Sequence, residues 1–127
     1  MIYHPSPQRV LLVEDDDQSR AALQLILEQE GYDVRVAKDG GEGVDLASSF
    51  RPDVIILDLV LPGLNGFDAA SLLKAEPTTS EIPLVAVTAS WLGSESNRLR
   101  QIGFEAALRK PFTATALIDE LRKVLQH

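Results

Sequence analysis

The sequence predicts an α/β domain: a doubly wound, five-stranded parallel sheet with five helices on its two faces. Three observations predict it. Short apolar runs alternate with helix-forming stretches from Arg9 to Leu125, and alternation implies parallel strands with right-handed crossovers. The run Val54–Leu57 is apolar throughout and bounded by Pro52 and Pro62-Gly63, as in a strand buried on both faces. Four of the five strands end on polar residues, at Glu14-Asp15, Asp58, Thr88 and Lys110. In a doubly wound sheet all strand C-termini share one edge, so these residues should meet in one crevice.

The elements follow in order. Arg9–Val13 is an apolar strand that runs into Glu14, Asp15, Asp16 and Asp17. Asp16 or Asp17 can cap the helix that follows, and the acidic cluster suits the positive end of its dipole. Ala22, Leu23, Ile26 and Leu27 make its apolar face, and Gly31 ends it. Tyr32–Ala37 alternates, with Val34 and Val36 against Asp33 and Arg35, as a half-buried strand near a sheet edge does. Gly40-Gly41 leads into a short helix ending near Phe50, with a stripe of Val44, Ala47 and Phe50; Gly43 weakens it. After the central strand and its Pro/Gly loop, Phe67–Ala75 is a helix with Leu72 and Leu73 inward. Gly63, Asn65 and Gly66 read as turn residues. Glu76–Ser80 is a loop, and Ile82–Val87 is a strand ending at Thr88. Gly93–Ile102 is a helix with only Leu99 and Ile102 clearly apolar, so it should pack thinly and move easily. Gly103 stops it. Ala106–Arg109 is a strand ending at Lys110-Pro111. Thr113 caps a last helix with Leu117, Ile118, Leu121, Val124 and Leu125 on one face.

At 127 residues the chain suits one domain with a core that needs no staples. Residues 1–8 read as a flexible leader, too short and polar for a signal peptide, and residues 9–127 as the domain. Without cysteine, disulfides and thiol nucleophiles are excluded. No apolar run approaches a membrane span, and a cytoplasmic location is expected. The net charge of −7, with no basic stripe, argues against nucleic-acid binding.

The chemistry follows from charge. Glu14, Asp15 and Asp58 bring three negative charges to the crevice and Lys110 one positive. Such repulsion protonates a carboxylate or destabilises the fold unless a cation binds. Oxygen ligands without His or Cys select Mg²⁺ or Mn²⁺. A carboxylate beside such a cation can attack phosphorus and form an acyl phosphate. Lys110 and the metal would neutralise the transferring group, and Thr88 can donate it a hydrogen bond.

The motifs LLVEDD, ILDLVLPGLNG, VAVTA and LRKPF, in this order and at these spacings, make the chain resemble a response-regulator receiver domain over nearly all its length. The resemblance implies the flavodoxin-like strand order 2-1-3-4-5. It implies that Asp58 is the phosphoacceptor and Asp15 a direct metal ligand, with Glu14 its acidic neighbour, acting through water. The backbone carbonyl of Val60 would also face the metal. Thr88 corresponds to the hydroxyl residue that moves toward the phosphoryl group, and Lys110 to the phosphate-binding lysine. The Lys110-Pro111 bond is expected to be cis.

One departure stands out. Receivers commonly carry Tyr or Phe three residues before the lysine, and here that position is Ala107. Trp91 is a candidate readout aromatic in its place, and simple packing is the alternative. The resemblance assigns rate tuning to Val60 and Ser90. Val60 cannot orient an attacking water, so a long-lived phosphoryl group is expected. His4 and His127 are assigned no role.

The leading function is a phosphorylation switch. A sensor histidine kinase or a histidine phosphotransfer protein donates the phosphoryl group, and a changed surface on the fourth helix, fifth strand and fifth helix regulates a downstream protein not identified by the sequence. The chain would act as a monomer or a phosphorylation-dependent dimer, and as a regulatory domain rather than an enzyme. The short tail after Leu125 favours a stand-alone protein. The alternative is a pseudo-receiver, an interaction module that is not phosphorylated. An aspartyl phosphohydrolase would need an acid/base Asp where Val60 stands. A flavodoxin-like carrier would need a phosphate loop where EDDDQ would repel a flavin phosphate.

Overall fold

The computed structural model describes residues 6–89 and 95–126. Strands and helices alternate: β1 (Arg9–Val13), α1 (Asp17–Gln29), β2 (Asp33–Ala37), α2 (Gly40–Phe50), β3 (Val54–Asp58), α3 (Gly66–Ala75), β4 (Leu84–Thr88), α4 (Glu95–Ile102), β5 (Phe104–Arg109) and α5 (Ala114–Leu125). The five strands form one parallel sheet in the order β2-β1-β3-β4-β5. Chain order reverses between β1 and β3, the place where such sheets open a crevice at their C-terminal edge.

The period-two alternation of the strands divides the core between the two faces. Leu11, Val13, Ile55 and Leu57 pack with Ala47, Ala69, Leu73 and Leu99 from α2, α3 and α4. Val10, Leu12, Ile56 and Val87 pack with Leu23, Leu27, Leu117 and Leu121 from α1 and α5. All five residues of β3 are buried, because helices cover both of its faces. Fully burying one such aliphatic side chain contributes about 1.5–3 kcal/mol.

The caps explain the helix boundaries. The side chains of Asp16, Asp39, Asn65 and Thr113 accept from the backbone amides of Ser19, Glu42, Asp68 and Ala116, starting α1, α2, α3 and α5. Gly31, at φ +95°, lets the Tyr32 amide reach back to Leu27 O and close the end of α1.

Several expectations are corrected. Leu72 is 47% exposed: α3 turns Ala69, Ala70 and Leu73 inward, and a residue one step along a helix lies about 100° round from its neighbour. Ala22 is exposed while Leu23 and Leu27 carry the face of α1. Tyr32 precedes β2, its amide being used by the helix end. β4 starts at Leu84, after Pro83, which has no N–H to donate. β5 starts earlier than expected, at Phe104, which is buried. Gly43 is buried against Val13; a Cβ there would lie 2.8 Å from Val13 Cγ2, so the residue that weakens α2 also lets it approach β1. Among the described residues, no helix is long and apolar enough to cross a membrane.

Candidate functional site

The C-terminal ends of β1, β3, β4 and β5 bring Glu14, Asp58, Thr88 and Lys110 together. Glu14 extends β1 by one pairing step, its amide donating to Ala37 O at 3.0 Å, and is fully buried. Asp58 ends β3 and is 5% exposed. A buried charge needs a partner. Lys110 supplies it for both: its Nζ lies 2.5 Å from Glu14 Oε1 and 2.9 Å from Asp58 Oδ2. The remaining oxygens are also engaged. The Asp16 amide donates to Glu14 Oε2 at 3.2 Å, and the Val60 amide to Asp58 Oδ1 at 2.9 Å.

Burial alone pulls the Lys110 ammonium pKa down. The hydrogen bonds to Glu14 and Asp58, with the charges of both carboxylates, outweigh it and hold the pKa above the ordinary lysine value. Beside the pocket, the bond from the Ser19 amide draws the Asp16 carboxyl below its usual range.

Asp15, exposed at the mouth, completes the acidic set. Glu14, Asp15 and Asp58 each offer one carboxylate oxygen, and these lie within 4.8 Å of one another. Three carboxylates against one ammonium leave two formal negative charges. Hard oxygen donors with residual negative charge fit Mg²⁺ or Mn²⁺.

The other expected residues fall as follows. Thr88 is buried at the end of β4, and its carbonyl accepts from the Lys110 amide at 2.8 Å, which fixes the start of the Lys110 loop. The Lys110-Pro111 peptide is cis. The Val60 side chain is 63% exposed. Ala107 is half-buried on β5 opposite Ala86 and packs against the α3–α4 side of the core. Ser90, Trp91, His4 and His127 lie outside the described residues, as do the start of the expected helix at Gly93 and residues 1–5 of the leader.

Two residues near the site were not singled out by sequence reasoning for this role. Arg20 Nη1 donates to the carbonyls of Glu14 and Asp15. Gly66 starts α3 directly beneath the end of β3: a Cβ there would lie 2.4 Å from Asp58 O and 2.5 Å from Leu59 Cα. A glycine closing a Pro/Gly loop before a helix was the available signal for Gly66. For Arg20 the sequence offered only its i,i+3 spacing from Asp17, since the oxygens that tie it to the pocket are main-chain.

Comparison with known proteins gives one family. Residues 10–122 match the response regulator receiver domain. The chain is 33% identical to the polar-differentiation response regulator DivK of Brucella anthropi, over 94% of this chain and 97% of DivK. It is 36% identical to the protein PilH of Pseudomonas aeruginosa, over 92% of this chain and 97% of PilH. The structure of the chemotaxis protein CheY4 of Vibrio cholerae superposes with a TM-score of 0.89 at 28% identity, covering 94% of this chain and 99% of CheY4. The receiver domain of the sensor histidine kinase PA1611 of Pseudomonas aeruginosa, with a magnesium ion coordinated in its active-site cleft, superposes at 0.88 with 30% identity, covering 95% of this chain and 99% of that one. Together with the strand order and the acidic edge, these matches establish that the chain belongs to the response regulator receiver domain family.

Proposed function

We propose that this receiver domain is a phosphorylation switch whose acceptor is Asp58. The observation that carries the reading is the Asp58 carboxylate itself: buried at the crevice end of the central strand, paired with Lys110, and within reach of two further carboxylates. An Asp58 carboxylate oxygen attacks the phosphorus of a phosphohistidine. The P–O bond forms as the P–N bond breaks, and the imidazole of a sensor histidine kinase or a histidine phosphotransfer protein departs with the bonding pair. Glu14, Asp15 and Asp58, with the Val60 carbonyl, would hold Mg²⁺ or Mn²⁺, which neutralises charge on the transferring group. Lys110 shifts from the carboxylates toward the new phosphoryl oxygens, and Thr88 donates to one of them.

A groove lined by Ala22, Leu23, Ile26, Pro111 and Phe112 adjoins Lys110. It offers the donor protein an apolar seat beside the acceptor. The added charge then biases the surface of α4, β5 and α5 that a downstream protein reads. With the aliphatic Val60 beside the acceptor, the aspartyl phosphate should outlast that of fast chemotaxis receivers.

Acetyl phosphate with MgCl₂, followed by intact-mass measurement, tests the reading. Wild type should gain one phosphoryl group, while Asp58→Asn and wild type in EDTA should gain none. Ala107, small where receivers commonly carry an aromatic, favours the second reading of a phosphorylation-independent interaction module. No mass gain in wild type would leave that reading standing.

A further inference from the structure

We propose that Arg20 is a positioning residue for the acidic pocket. Its guanidinium grips the backbone of Glu14 and Asp15 and so holds their carboxylates in place for a divalent cation. The proposal rests on the metal reading given above. Arg20 Nη1 donates to Glu14 O at 3.1 Å and to Asp15 O at 3.4 Å, and Nη2 pairs with Asp17 Oδ1 at 2.5 Å. The Arg20 side chain is 13% exposed, whereas that of Asp17 is 85% exposed. A guanidinium tucked in and bonded to main-chain oxygens is not a solvated surface charge.

The grip matters most at Asp15. The Glu14 carboxylate is held by Lys110 and the Asp16 amide, and that of Asp58 by Lys110 and the Val60 amide. Asp15 is exposed, and its direction follows the backbone that Arg20 ties to the first turn of α1. The tie also keeps those two carbonyls facing Arg20.

The sign of the effect separates this role from a charge effect. Were Arg20 only a nearby cation, its removal would leave the pocket more negative and tighten Mg²⁺ binding. As a positioning residue, its removal frees the Glu14–Asp15 backbone and loosens Mg²⁺ binding. The test is an NMR titration of the full chain with MgCl₂, together with hydrogen exchange of the Asp16 amide in the metal-free protein. Arg20→Gln should weaken Mg²⁺ binding by about tenfold, the scale seen when an outer-shell group orienting a ligand is lost. It should also speed exchange at Asp16, whose amide bonds to Glu14 Oε2. Asp17→Asn should leave both readings near wild type. Unchanged or tighter Mg²⁺ binding in Arg20→Gln overturns the proposal. If Arg20→Gln does not fold, Arg20→Lys decides: it keeps the charge but loses the fork, so weaker binding supports the proposal and equal binding overturns it. Failure of wild type to bind Mg²⁺ would sink the metal reading; the Asp16 exchange rate would still decide the grip, and an unchanged rate overturns it.

Discussion

Lys110 Nζ lies 2.9 Å from Asp58 Oδ2, so the carboxylate that ends the central strand is ion-paired within the fold itself. The same ammonium holds Glu14, and the two carboxylates come from strands far apart in sequence but adjacent in the sheet. Lys110 is therefore both the counter-ion of the pocket and a competitor for any cation that enters it.

Removing that ammonium leaves two carboxylates buried side by side. Breaking a buried pair by deleting one partner costs about 3–5 kcal/mol. Lys110→Met should lower the urea midpoint in EDTA accordingly, and MgCl₂ should restore most of the loss, since a bound cation stabilises by mass action. Equal midpoints for Lys110→Met and wild type without metal would show that the pocket does not depend on Lys110.

The pKa directions set the pH window. A lysine raised in the folded state contributes stability that is complete below its unfolded value of 10.5 and is lost as pH rises through the folded value. Burial also raises the Tyr32 pKa above 10.0, and a folded protein that holds its phenol proton longer loses stability in the same direction. Stability should thus fall above about pH 10, and the fall should be shallower in Lys110→Met on a Tyr32→Phe background. At the acid end, Asp16 is lowered below 3.8, so its cap on α1 is fully present above that value and is lost as pH falls through the folded one. Urea midpoints across pH for wild type, Tyr32→Phe and the double variant would check the alkaline limit, and Asp16→Asn against wild type the acid one.

Gly66 and Gly63 should respond differently to alanine. At Gly66 the new methyl meets backbone, 2.4 Å from Asp58 O, and the loop cannot yield without moving Asp58. Gly66→Ala should cost about 1–3 kcal/mol, the range for overpacking, and should weaken Mg²⁺ binding. Gly63, at φ +68°, has nothing within 4 Å, so Gly63→Ala should cost only about 1 kcal/mol of left-handed backbone strain and leave Mg²⁺ binding unchanged. Equal loss of Mg²⁺ affinity in both variants would contradict the clamp beneath Asp58.

This contrast shows which parts of the molecule were legible in the sequence. The strands and the acidic edge were, because a doubly covered strand needs an uninterrupted apolar run and Asp58 breaks that run at a visible point. The adjacent pair Leu72-Leu73 was not, since both are apolar and only packing against α2 and β3 chooses between them. Gly43 looked like a weak helix former, whereas its role is space for Val13. The grip of Arg20 on the pocket was silent, because main-chain carbonyls carry no residue identity and only its exposed partner Asp17 is a side chain. The charge balance of the pocket was legible too, with Lys110 set against the three carboxylates; what was not legible is that Lys110 bonds two of them, Glu14 and Asp58, directly.

On the far side of α3, α4 is held by few apolar contacts among the described residues. The Arg98 guanidinium lies 4.0 Å from the centroid of the Phe67 ring, a cation–π contact between α4 and α3. Among the described residues of α4, Leu99 is the buried anchor and Ile102 is half-buried, so this contact is a sizeable share of what holds the helix. Phe67 directly follows Gly66, which packs beneath Asp58, so a short chain of contacts runs from Asp58 to α4. A double-mutant cycle of Phe67→Leu and Arg98→Ala should give a coupling of about 0.5–1 kcal/mol, typical of an exposed cation–π pair. Arg98→Ala should also speed hydrogen exchange in α4 and leave α5 protected, because α5 is anchored separately by Leu117, Ile118, Leu121 and Val124. If α4 exchanges at its wild-type rate in Arg98→Ala, the stack does not hold the helix.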